Sequence, residues 1–187
     1  MSNRQHLAIY AGSFDPITLG HLDVLRRARL LFDGIVLGIG RNPDKESMFS
    51  MEERQEMAQI LVEDLLSAEP DGCPVRVERY SGLTVDFAKQ VKAVAILRGI
   101  RNITDLATEC QLAITNRQVA DIETVFVVTG EAYAFTSSSL IQQIAALGGP
   151  LDRLKNIVPA LVIERMKIKR DDPTHPLTRL ARDQHVE

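Results

Sequence analysis

The chain has 187 residues, 45% of them hydrophobic and 25% charged, with 22 Lys+Arg against 25 Asp+Glu for a formal net charge of −3. This is one domain's worth of ordinary soluble-protein composition, and it excludes collagen-like, coiled-coil and wholly disordered chains. A slight negative charge, no Trp and only 5% aromatics argue against a nucleic-acid partner, and no apolar run approaches the ~20 residues of a membrane span.

The polar start, Met1 to His6, has no basic segment followed by a long apolar one, so no secretory signal is read and a cytoplasmic location is expected. Leu7–Ala11 predicts a buried strand closed by Gly12. Gly20–Phe32 predicts a helix with Leu22, Leu25, Ala28 and Leu31 inward and Arg26, Arg27 and Arg29 opposite. Ile35–Ile39 is a second strand. Ser50-Met-Glu-Glu53 has the spacing of a capping box and opens a helix to about Leu66, closed by the turn Glu69-Pro-Asp-Gly72. Val75–Tyr80 alternates as a third strand, Thr84–Lys92 is a short helix and Val94–Leu97 a fourth strand. Thr104–Val119 is helical and Thr124–Val128 is a fifth strand. A helix over Ser137–Leu147 is stopped by Gly148-Gly-Pro150, and a last one spans Asn156–Lys169 with Pro159 in its first turn. Cys73 and Cys110 form no CxxC and read as reduced packing residues, and only His21 of four histidines lies within this pattern, so no protein metal site is expected.

Strict alternation of strands and helices predicts an α/β fold, a Rossmann-like doubly wound parallel five-stranded sheet with helices on both faces, over residues 1–169. Residues 170–187, with two prolines and mixed charge, read as a C-terminal extension, surface-packed or disordered. Ligands of such sheets bind beyond the carboxyl ends of the strands, and four strand exits carry chemistry. The first is Gly12-Ser-Phe-Asp-Pro-Ile-Thr-Leu-Gly-His21. Gly12 allows a sharp turn and Pro16 stiffens the loop. The imidazole of His21, at a helix N-terminus, is expected near its neutral form and able to donate one N–H to a phosphate oxygen; the alternative is simple packing against the helix start. After the second strand, Lys45 is either a mobile phosphate ligand or a solvated loop residue. After the fourth, Leu97-Arg-Gly-Ile-Arg101 makes a positive rim, unless the arginines merely pair with a carboxylate such as Asp105. After the fifth, Ser137-Ser138-Ser139 offers hydroxyls and free amides to an oligophosphate, or else caps the helix.

Ala11-Gly-Ser-Phe-Asp-Pro-Ile-Thr-Leu-Gly-His21 resembles the T/HxGH motif of the nucleotidylyltransferase superfamily and, more closely, the opening of the bacterial phosphopantetheine adenylyltransferase family. The resemblance extends over about residues 7–165. It implies ATP and 4′-phosphopantetheine as substrates, Mg²⁺ accompanying ATP, coenzyme A as feedback inhibitor and a homohexamer. By resemblance, His21 stabilises the transition state, while Lys45, before Met48-Phe-Ser-Met-Glu-Glu-Arg54, and Arg98 hold the acceptor phosphate. Ser13 contacts both substrates, and Leu83, Thr84 and Asn116 line the pantetheine arm. Phe14, Gly99, Ile100, Arg101 and Glu109 contact ATP, as do Tyr133, Ala134, Phe135, Thr136, Ser137, Ser138 and Ser139. The chain departs from the family pattern at Leu106 and Ala107, at Tyr133 (usually Trp), at Thr136 (usually Ile) and at Gln142 (usually basic). A nucleophile that is already an anionic phosphate oxygen needs no general base, which fits the lack of a Ser/His/Asp or Cys/His set. A nicotinate or nicotinamide mononucleotide enzyme is disfavoured by Arg98-Gly-Ile-Arg101 and Gln142, and a cytidylyltransferase by the absent R-T-x-G-I-S-T-T pattern. A non-catalytic nucleotide or coenzyme A sensor is a further alternative, and a synthetase-like tRNA-binding fragment fails on the absent K-M-S-K-S loop.

Overall fold

Five apolar runs become five parallel strands, β1 (Leu7–Gly12), β2 (Gly34–Ile39), β3 (Val75–Arg79), β4 (Ala95–Ile100) and β5 (Glu123–Val128), hydrogen-bonded in the order β3-β2-β1-β4-β5. The computed structural model describes residues 5–41 and 46–172, so Lys45 and most of the expected extension lie outside the described residues. The helices are α1 (Leu19–Ala28), α2 (Met51–Ala68), α3 (Thr84–Gln90), α4 (Ile103–Ala120), α5 (Ser138–Ala146) and α6 (Ala160–Asp171). β1 is central, paired through Tyr10 with Leu37 of β2 and Leu97 of β4. The chain winds outward from β1 to β3 and then returns to β4, which puts the topological switch point between β1 and β4 and opens a crevice at their carboxyl ends.

Alternate strand residues feed two cores. Tyr10, Ile35, Leu37, Ile39 and Leu97 pack with α1, α2, α5 and α6. Ile9, Ala11, Val36 and Ile96 pack on the other side with α3 and the end of α4. Strands covered on both faces are apolar at nearly every position, whereas β3, at the sheet edge, alternates. Leu25 of α1 is completely buried. Leu25→Ala is expected to lower stability by ~2–5 kcal/mol with an unchanged denaturant slope, as read by urea unfolding.

Two expectations are corrected. α1 ends at Ala28, so Leu31 is 63% exposed while Arg29 is 2% exposed. Arg29 turns inward because it has carbonyl partners there: Nε donates to Cys73 at 3.0 Å and Nη1 to Glu69, the residue that ends α2, at 2.8 Å. The last helix starts later than expected. A 3-10 turn over Leu151–Asn156 precedes it, and Pro159 caps α6 from outside instead of sitting in its first turn. α4 also stands apart, because Ala120 is its one buried residue and Ile103, Leu106, Leu112, Ile114 and Val119 are exposed.

Candidate active site

The loops leaving β1, β4 and β5 meet around a cavity of about 310 Å³. From the first come Ser13, Phe14 and His21; from the second Arg98, Gly99, Arg101 and Glu109; from the third Tyr133, Thr136 and Ser137–Ser139. All of these are residues singled out in the sequence. Gly20 and Gly99 permit the close packing: a Cβ on Gly20 would stand 3.2 Å from Cβ of Tyr133, and one on Gly99 would stand 2.9 Å from Val24 of α1. Asp23 of α1 accepts the Gly130 amide at 2.9 Å, which holds the β5 exit against α1.

His21 is the third residue of α1 and closes a capping box with Thr18. The Thr18 side chain accepts the His21 amide at 3.3 Å, and the Thr18 amide donates to His21 Nδ1 at 3.0 Å. A main-chain N–H can only donate, so Nδ1 is the unprotonated nitrogen and the proton sits on Nε2. The ring is also held edge-on by Phe14, with centroids 5.1 Å apart. Burial, then the positive charges of Arg101 and Arg98, push its pKa down to about 4. The sequence pointed to a neutral imidazole through the helix dipole; the leading causes in the structure are desolvation and the two guanidinium groups. Because the folded pKa lies below the ordinary 6.5, the native state binds fewer protons than the unfolded one. This contribution to stability is therefore complete above about pH 6.5 and is lost as pH falls towards about 4. An NMR titration of the His21 ring is expected to show no protonation between pH 8 and about 5, with the Nε2–H tautomer throughout.

Both arginines of the rim are paired with carboxylates, as the sequence alternative had it, one of them with Asp105 itself. Arg101 takes Asp105, through Nε at 2.6 Å and Nη2 at 2.9 Å, and donates Nη1 to the Thr136 carbonyl at 2.7 Å. Arg98 grips Glu109 with Nε at 2.7 Å and with Nη2, and donates Nη1 to the Ala11 carbonyl at 2.8 Å. Each guanidinium has five N–H groups, so among the described residues two on each stay available to an anion. Ser137 caps α5, accepting the Leu140 amide at 3.1 Å, and Ser138 donates to the Pro16 carbonyl at 2.8 Å. One serine therefore does cap the helix. Ser138 and Ser139, in the first turn of α5, lie at the cavity wall.

Ile100 is 6% exposed at the end of β4 and Phe135 is 89% exposed; neither they nor Ala134 line the cavity. Leu83, 61% exposed, precedes α3; Thr84 shares a hydrogen bond of 2.9 Å with the Tyr80 hydroxyl; Asn116 on α4 reaches Thr124 at 3.5 Å. These three also lie outside the lining. Sequence reasoning missed Tyr10, whose phenol lines the cavity and is kept protonated by burial, and it missed Thr18. The T-x-x-H spacing of Thr18 and His21 matches that of Ser50 and Glu53 and was readable as a second capping box. Among the described residues no group of three or more His, Cys, Asp or Glu is placed to hold a metal ion.

The cytidylyltransferase-like family model matches residues 9–144. The chain is 46% identical over 169 residues to the phosphopantetheine adenylyltransferase of Rhodopirellula baltica, covering 90% of each chain. It is 45% identical over 165 residues to that of Moorella thermoacetica, covering 88% of this chain and 96% of the other. The fold is shared with the bifunctional NMN adenylyltransferase/ADP ribose pyrophosphatase of Francisella tularensis, at TM-score 0.67 and 16% identity, over 97% of this chain and 54% of that one. With 45–46% identity over about nine-tenths of the chain, the chain belongs to the phosphopantetheine adenylyltransferase family of nucleotidyltransferases.

Proposed function

We infer that the chain transfers the adenylyl group of ATP to the phosphate of 4′-phosphopantetheine, giving dephospho-coenzyme A and pyrophosphate. The observation that carries this reading is His21: an imidazole locked by Thr18 with its one proton on Nε2, in a cavity that also holds two arginines and the start of α5. An oxygen of the acceptor phosphate attacks the α-phosphorus, the bond to the β-phosphate oxygen breaks, and pyrophosphate leaves with the electron pair. No proton has to be removed from the nucleophile. Catalysis is then in-line positioning and neutralisation of charge on the phosphoryl oxygens. His21 donates to the α-phosphate; Arg101 and the first turn of α5 face the rest of the triphosphate. By the resemblance, Ser13, Arg98 and Lys45 are assigned to the acceptor phosphate, and Leu83, Thr84 and Asn116 to the pantetheine arm.

Mg²⁺ accompanies ATP. The carboxylates at the cavity, Asp105 and Glu109, are already engaged by arginines, so the ion would be held by phosphate oxygens and water and would supply charge neutralisation there. Coenzyme A, which contains the product's framework, competes for the same site as a feedback inhibitor. Self-association, up to the homohexamer of the resemblance, is supported by the apolar side chains that α4 leaves exposed. Free Cys73 and Cys110 support a reducing, cytoplasmic setting; among the described residues no helix is long and apolar enough to cross a membrane.

The test is pyrophosphate release from ATP with and without 4′-phosphopantetheine, beside arms with nicotinate mononucleotide and with CTP. Release is expected only with ATP and phosphopantetheine together. Turnover with the mononucleotide instead, or nucleotide binding without release, overturns the assignment.

A further inference from the structure

Gln142, in α5, stands where the family pattern has a basic residue, and its partner is Asp15 of the loop after β1. Its Nε2 donates to the main-chain carbonyl of Asp15 at 2.7 Å and to Asp15 Oδ2 at 3.0 Å. Both partners are acceptors, so the amide nitrogen must face them, and its two protons have two acceptors already. Asp15 itself is 5% exposed. Its carboxylate also accepts the amides of Met48 at 2.8 Å and Phe49 at 3.0 Å, 33 and 34 residues away in the chain. Arg54 of α2, 2% exposed, completes the arrangement: Nη1 donates to the carbonyls of Ser13 at 2.8 Å and Gly40 at 3.2 Å, and Nε to that of Ser50 at 3.3 Å. One buried carboxylate thus joins three segments: the Ser13–Pro16 loop, the residues leading into α2, and α5. The first carries Ser13 and Phe14 and the third begins with the serines, so both segments line the cavity, and Ser138 joins them directly through the Pro16 carbonyl at 2.8 Å.

We propose that Gln142 is a positioning residue for adenylyl transfer: by bridging α5 to Asp15 it works with the Ser138–Pro16 hydrogen bond to hold the serine-bearing end of α5, the Ser13–Pro16 loop and the Met48–Ser50 segment at one spacing, so that the groups they bring to the cavity bear on the same phosphate. The proposal rests on the function given above. The bridge is short and local to the site, and a displacement of about 1 Å in such a cavity lowers turnover by up to ~10²-fold. A leucine at 142 fills similar space but donates nothing, leaving Asp15 with fewer donors in a buried place. A lysine can donate from its ammonium group to the same two oxygens.

The experiment compares wild type, Gln142→Leu and Gln142→Lys, each checked for fold by circular dichroism and thermal midpoint. Amide hydrogen exchange is read at Met48 and Phe49 against the amides of β1, and kcat and both KM values are read by dephospho-coenzyme A formation. In Gln142→Leu, exchange at Met48 and Phe49 is expected to quicken by about tenfold with β1 unchanged, and kcat to fall roughly tenfold with smaller changes in KM. Gln142→Lys is expected to restore both to within about threefold of wild type. Unchanged protection in the folded leucine variant overturns the proposal, as does a lysine variant that is as impaired as the leucine one. A wild type that forms no dephospho-coenzyme A, with protection still dependent on Gln142, overturns the function instead, since exchange is read without substrate.

Discussion

His21→Ala is expected to lower kcat by about 10²–10³-fold while leaving KM for both substrates within a few-fold, the usual signature of removing one donor that acts on charge developing in the transition state. The side chain has two duties on its two nitrogens. Nδ1 is held by the Thr18 amide at 3.0 Å, and that leaves Nε2–H as the free donor of a ring that lines the cavity. Two nearby guanidinium groups and burial keep the ring neutral, so it contributes a hydrogen bond and not a second cation. The variant loses the catalytic donor and also the His21 side of the capping box, the acceptor of the Thr18 amide, so a fall of ~1 kcal/mol in stability is expected with it. His21→Gln, which can still donate, is expected to recover part of kcat. Near-wild-type turnover in His21→Ala would reject the role, and a loss confined to KM for ATP would turn the residue into a binding group only.

Arg98→Ala is expected to raise KM for 4′-phosphopantetheine by ~10- to 100-fold, the equivalent of one charge-assisted hydrogen bond, with a smaller effect on KM for ATP. The reason is a balance of charge at the wall of the cavity. Arg98 and Glu109 neutralise one another through a two-point contact, both being largely shielded from solvent, with 30% and 14% of their side chains exposed. Removing the guanidinium strips two available donors and leaves the Glu109 carboxylate facing an incoming phosphate dianion. The double variant Arg98→Ala with Glu109→Gln is therefore expected to regain part of the lost affinity, because the repulsion goes even though the donors do not return. A selective loss of ATP affinity in Arg98→Ala sinks the assignment of this arginine to the acceptor phosphate. Comparison of steady-state kinetics at fixed saturating co-substrate separates the two outcomes.

The capping box at Ser50 was legible because it is a pattern of four adjacent residues, and the structure shows both of its hydrogen bonds. The apolar strands were legible for the same kind of reason: a run such as Leu7–Ala11 has to be covered on both faces wherever it ends up. Arg29 was not legible, since an amphipathic count sees only a charged residue opposite a leucine. Its carbonyl partners lie 40 and 44 residues along the chain, and nothing in the local pattern announces them. Leu31 was misplaced with it, because helical spacing was continued past the point where α1 stops. The start of the last helix was misread through Pro159, which is tolerated equally as a cap or in a first turn.

The candidate site divides in the same way. Its membership was readable from the strand exits, because a parallel sheet brings the carboxyl ends of its strands to one rim and glycine, histidine, arginine and serine clusters there have few other uses. Of its pairings only the local one, an arginine of the rim with Asp105, was readable. Arg98 with Glu109, and Gln142 with Asp15 across 127 residues, are choices among several donors and acceptors that packing brings within reach.

Taken alone, the order of residues determined the alternation of strands and helices, the family and the rim at which chemistry gathers. Periodicity and motif spacing are local properties, written within a few residues. The central place of β1, the tautomer of His21 and the partner of each buried charge were decided only in three dimensions. A hydrogen bond needs about 3 Å and a direction, and those exist only once distant segments have been packed against each other.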